Sequence, residues 1–134
     1  MTSFPLKIVT PDGLIFDGPA EKLIVRTTSG DIAILARHTN YVAPLGMGKA
    51  IVEHNGERRT AACIGGMLSV VDGTVTLVPT TFEWADKIDA ARAEASRERA
   101  NQILQNKDAS ETDIKLAEAR LRRALVRKSV ASSR

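Results

Sequence analysis

The stretch Val78–Ala93, VPTTFEWADKIDAARA, marks the point at which the pattern of the sequence changes. Upstream of Phe82, short apolar segments alternate with turn residues, and no helical period connects them. Downstream, no glycine or proline occurs between Glu83 and Gln105, and alanine, glutamate and arginine dominate. The sequence therefore predicts a β-rich unit over residues 1–84 and a helical unit over residues 85–134.

The segments of the first unit have the length and spacing of strands in an antiparallel β-sandwich or flattened barrel. Asn55-Gly56 and Asp72-Gly73 each stand between two apolar runs, and both dipeptides suit the positive φ angles of a tight hairpin turn. Asp17-Gly18-Pro19 is expected to end the second strand. Gly46–Ala50, GMGKA, lacks the first glycine and the final Ser or Thr of a phosphate-binding loop, so it predicts a turn into a strand.

The second unit contains two predicted helices, separated by the turn residues Asn106–Ser110. Ser110 and Asp113 fit a capping box, so the second helix is expected from about Glu111 to Val130. Small and apolar residues recur every three or four positions on both helices, which predicts an antiparallel hairpin. We expect this contact to use Ile88, Ala91, Ala95 and Ile103 against Ile114, Ala117, Leu121 and either Ala124 or Leu125. Such a contact buries little area, so the hairpin is expected to be a marginal element that can change position.

Composition excludes several classes of protein. The 134 residues carry a net charge of +3, and the sequence lacks a signal-peptide pattern and an apolar run long enough to cross a bilayer, which predicts a soluble, cytosolic protein. Cys63 is expected to be a buried side chain, while His38 and His54 are expected to be surface or loop residues because neither has a companion at metal-ligand spacing. No metal site is therefore predicted. Aromatic residues make up 4%, too few for base stacking, so nucleic acid is not an expected partner.

Catalytic signatures are also missing from the sequence. No Gly-x-Ser-x-Gly motif occurs, and no cysteine or serine nucleophile has a base nearby in sequence. Residues 86–134 instead concentrate 12 basic side chains against 8 acidic ones, and from Arg120 to Arg134 every charged residue is basic. A basic helix of this kind is typical of a segment that binds an acidic partner. We therefore expect a protein that is not an enzyme.

Four segments, in this order along the chain, resemble the epsilon subunit of bacterial F-type ATP synthase: Ile8–Gly13 (IVTPDG), Ser29–Leu45 (SGDIAILARHTNYVAPL), Cys63–Val70 (CIGGMLSV) and Ile88–Ala100 (IDAARAEASRERA). The resemblance covers essentially the whole chain. It implies a non-catalytic central-stalk subunit that couples proton flow to ATP synthesis at the cytoplasmic face of the bacterial plasma membrane. It also implies that the sandwich contacts the gamma subunit and the membrane rotor ring of c subunits. Association with the membrane would then be peripheral and indirect, through the complex.

The same resemblance assigns candidate rotor-ring contacts to Ser29, Gly30, Asp31 and His38. Two departures from the family pattern fall in this region, because Gly30-Asp31 stands where relatives usually have Gly-Glu, and Ala36-Arg37 stands where they usually have Pro-Gly before the histidine. Asp31 can equally be a plain turn residue.

The resemblance further implies that the hairpin inhibits ATP hydrolysis by extending towards the catalytic alpha and beta subunits. The basic side chains that would meet acidic loops there are Arg120, Arg122, Arg123, Arg127 and Lys128.

Some epsilon subunits bind ATP through a motif that Ile88-Asp89-Ala90-Ala91-Arg92-Ala93 matches in full. The candidate ATP-binding residues implied by this match are Glu83, Ile88, Asp89, Arg92, Ala93, Arg99, Arg123 and Arg127. Asp89, Arg92 and Arg99 are expected to share one helical stripe, which would place a carboxylate beside guanidinium groups. ATP would be a regulatory ligand, and no cofactor is required. The alternatives are an exposed ion pair between Asp89 and Arg92 on a purely structural helix, or a stand-alone nucleotide-binding regulatory module.

Overall fold

The computed structural model describes residues 2–133, which form two five-stranded sheets followed by a short 3₁₀ turn and two packed helices. The strands are β1 (Phe4–Thr10), β2 (Gly13–Ala20), β3 (Lys22–Thr27), β4 (Gly30–Ile34), β5 (Tyr41–Pro44), β6 (Met47–His54), β7 (Glu57–Ile64), β8 (Met67–Val71), β9 (Thr74–Val78) and β10 (Thr81–Trp84). The 3₁₀ turn is Ala85–Lys87, and the helices are α1 (Ala90–Gln105) and α2 (Glu111–Ser132). The predicted sandwich with a C-terminal helical hairpin is therefore confirmed.

The two sheets have the strand orders β2-β1-β9-β8-β5 and β10-β7-β6-β3-β4. All pairs are antiparallel except β1 with β9, which run parallel. The expectation of a purely antiparallel sandwich is wrong at this one pair, because the first strand is inserted between its hairpin partner β2 and β9. β2 also continues through Gly18 and Pro19 to Ala20 instead of ending there. Proline is tolerated because β2 lies at the edge of its sheet, where one row of N–H groups has no strand to bind.

Alternating side chains of the strands fill the space between the sheets. In β1, for example, Phe4, Leu6 and Ile8 are buried while the residues between them are not. The predicted hairpin turns are confirmed, since Asn55 and Gly56 have φ angles of 52° and 75°. Cys63 is buried as predicted, and desolvation raises the pKa of its thiol to about 12.

The predicted start of α2 is confirmed in detail. Ser110 accepts a hydrogen bond from the Asp113 backbone N–H, and the Asp113 carboxylate accepts one from the Ser110 backbone N–H. This reciprocal pair satisfies two of the donors that a helix start leaves free. Glu83 lies in β10, which pairs with β7, so the last strand ends at Trp84.

The buried stripe of the hairpin differs in part from the predicted one. Ala91 and Ala95 are exposed, and α1 instead buries Ala93 and Ala100. On α2 the buried residues are Ala117, Ala124 and Val130, whereas Leu125 is 47% exposed. Ile88 precedes α1 and packs with Ala62, Ala85 and Val130 in a small cluster that joins α2 to the second sheet. This small apolar cluster, with Val126 and Ala131 packed against it, forms the core of the contact between the hairpin and the sandwich.

Candidate functional site

A cleft of about 540 Å³ lies between one edge of the sandwich and the hairpin, and we call it the near compartment. Its sandwich wall comes from the β1–β2 region and β10, and its helical wall comes mainly from α1. Its lining includes Asp12, Glu83, Lys87, Asp89, Arg92, Ala93, Ser96, Arg99 and Arg127.

A second space of about 410 Å³, the far compartment, continues from the first between α1 and α2. The two compartments share Thr81, Ser96, Arg99 and Arg127, so they adjoin each other, and together we call them the cleft. Ala100, Ile103, Arg120 and Arg123 complete the far compartment.

Charge is distributed unevenly along this cleft. The near compartment mixes three acids, Asp12, Glu83 and Asp89, with four basic residues. The far compartment is lined by four arginines, and none of its lining residues is acidic. The cleft therefore offers hydrogen-bond acceptors at one end and a concentrated positive charge at the other.

One ion pair crosses the cleft. Arg127 of α2 donates from Nε to Oε1 of Glu83 on β10 over 2.6 Å, and each side chain is about a third exposed, at 32% and 31%. Within residues 2–133, none of the other cleft arginines forms an ion pair. Their guanidinium groups are thus available to an anionic ligand.

Asp89 occupies a different position from the predicted one. It is the N-cap of α1, with extended backbone angles, and its Oδ1 accepts a hydrogen bond of 3.0 Å from the Arg92 backbone N–H. The predicted helical stripe of Asp89, Arg92 and Arg99 is therefore wrong, because Asp89 lies outside the helix. The alternative of a side-chain ion pair between Asp89 and Arg92 is also wrong among the described residues. The carboxylate of Asp89 nevertheless lines the near compartment.

Seven of the eight candidate ATP-binding residues line the cleft, namely Glu83, Asp89, Arg92, Ala93, Arg99, Arg123 and Arg127. Ile88 is the exception, since its side chain is 9% exposed and packs in the apolar cluster under α2. Sequence reasoning missed Asp12, Lys87 and Ser96. Ser96 could have been found, because it lies one helical turn after Arg92 and faces the same way.

The five basic residues proposed for inhibition do not share one face of α2. Arg120, Arg123 and Arg127 face the cleft, whereas Arg122 is exposed and does not line it. Lys128 forms an ion pair with Glu94 of α1, and Arg97 binds the same carboxylate. Two hydrogen bonds lower the pKa of Glu94 to about 2, and the one from Arg97 has a larger effect than the one from Lys128. Arg134, the last basic residue of the predicted tail, lies outside the described residues.

The candidate rotor-ring contacts occupy two separate places. Ser29, Gly30 and Asp31 form the β3–β4 turn and the start of β4, where Arg26 Nε donates to Asp31 Oδ1 over 2.9 Å. This hydrogen bond lowers the pKa of Asp31. His38 follows the opposite end of β4, a strand of five residues that spans about 16 Å at about 3.3 Å per residue. Its Nδ1 lies 2.7 Å from the Thr39 carbonyl oxygen, and its ring packs edge-on against Tyr41.

His54 is not a loop residue, because it ends β6 and packs edge-on against Phe16 with ring centroids 5.1 Å apart. Within residues 2–133, no group of three or more His, Cys, Asp or Glu side chains is arranged to hold a metal ion. None of the helices in that range has the length and apolar content needed to span a membrane.

A β-sandwich followed by a helical domain is the arrangement of the delta and epsilon chains of ATP synthases. Residues 3–85 match the family model for the ATP synthase delta/epsilon chain β-sandwich domain, and residues 86–132 match that for its long α-helix domain. The chain is 41% identical over 135 residues to the ATP synthase epsilon chain of Ruminococcus albus, with full coverage of both chains. It is 41% identical over 133 residues to that of Bacillus velezensis, covering 99% of this chain and 100% of the relative. The chain therefore belongs to the epsilon chains of ATP synthase, which are non-catalytic subunits, and this confirms both the resemblance and the expectation that it is not an enzyme.

Solved structures show the same fold. The Euglena gracilis mitochondrial ATP synthase structure, described as OSCP/F1/c-ring in rotational state 1, contains a chain that matches with a TM-score of 0.85 at 23% identity. The match covers 100% of this chain and 83% of the Euglena chain.

Proposed function

We propose that this chain is a rotor subunit of a bacterial F-type ATP synthase whose hairpin inhibits ATP hydrolysis and senses ATP. In this role the sandwich binds the gamma subunit and the ring of c subunits, and it thereby couples proton flow to ATP synthesis. The complex holds the chain peripherally at the cytoplasmic face of the plasma membrane. Membership of the epsilon chains supports this role, as does the fold shared with a chain of the Euglena OSCP/F1/c-ring structure.

The observation that carries the sensing part of the proposal is the common location of seven candidate residues in one cleft. These residues come from β10, from α1 and its N-cap Asp89, and from α2, so the cleft joins the sandwich to both helices of the docked hairpin. A nucleotide bound between them would add contacts that exist only in the docked state. Binding would therefore shift the population towards the docked hairpin. The docked state would gain a free energy of RT ln(1 + c/Kd), where c is the ATP concentration.

The small contact between the hairpin and the sandwich supports the proposal that a ligand controls the hairpin. The hairpin rests on a small apolar cluster and on one ion pair, Glu83 with Arg127, whose partial exposure limits its strength. Without nucleotide, release of α2 would free Arg120, Arg123 and Arg127 from the cleft. These arginines could then meet acidic loops of the alpha and beta subunits.

Calorimetric titration of the isolated full chain with ATP tests the sensing proposal. We expect saturable binding that Arg92→Ala and Arg123→Ala both weaken, because both guanidinium groups line the cleft. Arg122→Ala is the matched control, since Arg122 is on α2 beside Arg123 but does not line the cleft. Absence of heat at millimolar ATP would remove the sensing proposal and leave the assignment to the epsilon chains intact.

The inhibitory role is tested in the assembled complex by ATP hydrolysis. Arg122→Ala should relieve inhibition without changing ATP affinity, whereas Arg123→Ala should change both, because only Arg123 serves the cleft as well. Unchanged inhibition in both variants would argue against a role for the basic helix. Purification from membranes distinguishes the rotor subunit from a stand-alone nucleotide-binding module, which would not bring gamma, alpha and beta subunits with it.

A further inference from the structure

One arginine of the far compartment, Arg120, is not among the candidate ATP-binding residues. Arg120 is exposed and lies on the same face of α2 as Arg123 and Arg127, at spacings of three and seven residues. Among the described residues it forms no ion pair. It therefore extends the row of guanidinium groups on α2 past the candidate residues Arg123 and Arg127.

The distribution of charge along the cleft favours one orientation of a bound nucleotide. All three acidic lining residues, Asp12, Glu83 and Asp89, belong to the near compartment. An exocyclic amine of a nucleobase is a hydrogen-bond donor and suits that end, whereas phosphates suit the end where only arginines occur. A nucleotide in this orientation points its phosphate chain towards Arg120.

We propose that Arg120 contacts the terminal phosphate of a nucleoside triphosphate and makes the cleft prefer triphosphates to diphosphates. This inference rests on the proposed nucleotide-binding function of the cleft. Arg99 and Arg127 line both compartments, whereas Arg120 lines the far one alone and lies seven residues, or about 10 Å along the helix, from Arg127. A diphosphate in the proposed orientation would lack the phosphoryl group that Arg120 is proposed to bind. Arg120 is thus a specificity residue, and its guanidinium group supplies a charge-assisted hydrogen bond to the third phosphate alone.

The competing interpretation is that Arg120 is an ordinary solvated residue of a basic helix. Arg122 is the matched control, because it is the same residue type, is also exposed, and is about 200° away around the helix at about 100° per residue. Both side chains are exposed, so neither substitution is expected to disturb the fold.

The test compares ATP and ADP binding by calorimetry for the full-length wild-type chain, Arg120→Gln, Arg120→Lys and Arg122→Gln. We expect Arg120→Gln to weaken ATP binding about tenfold and ADP binding by less than about twofold, with partial recovery of ATP binding in Arg120→Lys. Arg122→Gln should change neither affinity.

An equal loss of ATP and ADP affinity in Arg120→Gln, or no loss of either, would overturn the role of Arg120. If the wild-type chain still binds ATP, the nucleotide site itself stands. A wild-type chain that binds no ATP would overturn the nucleotide site itself, and the role of Arg120 with it.

Discussion

Arg127 Nε and Glu83 Oε1 are 2.6 Å apart, although the two residues are separated by 44 positions in sequence. Among the described residues, this is the only ion pair that joins the hairpin to the sandwich. It holds Arg127 across the cleft, at the place where the near and far compartments meet. The same arginine thus serves two purposes in the proposed function: it helps to dock α2, and it presents a guanidinium group to a ligand.

Glu83→Gln should weaken docking of the hairpin by about 0.5 kcal/mol, because the pair is partly exposed and screened by solvent. Amide hydrogen exchange along α2 would measure the change. A double-mutant cycle with Arg127→Gln separates the pair from other effects of each substitution, and it should give a coupling energy of the same size. Glu118→Gln, an exposed substitution on α2, should leave exchange unchanged. Strictly additive effects in the cycle would show that the pair does not contribute to docking.

Acid should loosen the contact between the helices through Glu94. Hydrogen bonds from Arg97 and Lys128 hold the pKa of this carboxyl at about 2, below its ordinary value of 4.5. Because the pKa is lower in the folded state, the stabilisation is fully present above about pH 4.5 and is lost as the pH falls towards about 2. Urea unfolding of the helical signal in circular dichroism, followed over this pH range, measures the loss.

Glu94→Gln should flatten that acid dependence, whereas Glu98→Gln should keep it. Glu98 is on the same helix and forms no ion pair among the described residues. An identical acid profile in wild type and Glu94→Gln would assign the effect to other carboxyl groups.

Two alanines of α1 distinguish the predicted helix face from the observed one. Ala100 is 1% exposed, whereas Ala95 is exposed to solvent. Ala100→Leu should therefore overpack the contact between the helices and destabilise the hairpin by about 1–3 kcal/mol. Ala95→Leu should have little effect, because its larger side chain projects into water. Urea unfolding monitored by circular dichroism gives both values, and a larger loss for Ala95→Leu would restore the predicted face.

The alanine pattern also explains where sequence reasoning stops. The capping box at Ser110 is a local signal, since it needs only residues three apart, and the start of α2 followed from it correctly. The face of α1 is not a local signal. Alanines occur at positions 90, 91, 93, 95 and 100, so several stripes fit a helical period equally well. The partner helix decides which alanines are buried.

Strand β10 illustrates a tertiary effect of a similar kind. Glu83 and Trp84 begin a run of helix-forming composition, yet they pair with Ala62 and Ala61 of β7. Arg59 lies over the Trp84 ring, 3.7 Å from its centroid, which further stabilises this strand. Strand pairing here outweighs intrinsic helix propensity, a weak preference of less than about 1 kcal/mol per residue. This pairing also places Glu83 opposite Arg127.

The sequence predicted those residues of the candidate site that belong to the Ile88–Ala93 motif or accompany it. The motif supplied Asp89 and Arg92, but the residue pattern could not show that Asp89 caps the helix or that Ile88 is buried beneath α2. Asp12 was not predictable, because the fold brings it to the cleft from the other end of the chain.

Arg37 provides a test of backbone strain. Its φ angle is 65°, in the left-handed region that glycine favours, and it lies in the loop between β4 and β5. Asn55 and Asp72 also have positive φ angles, but their short polar side chains tolerate this conformation better than arginine does.

Arg37→Gly should stabilise the sandwich by about 0.5 kcal/mol. The substitution removes a conformational cost of about 1–2 kcal/mol for an L-residue in this region, and it adds about 0.5–1 kcal/mol for the greater chain entropy of glycine in the unfolded state. Arg37 is exposed and forms no ion pair among the described residues, so little else is lost. Urea unfolding should show a higher midpoint with an unchanged slope. Arg58→Gly, which removes an exposed arginine from a regular strand, should lower the midpoint instead, because glycine weakens strands. A lower midpoint for Arg37→Gly would mean that the arginine side chain contributes more to the sandwich than its backbone strain costs.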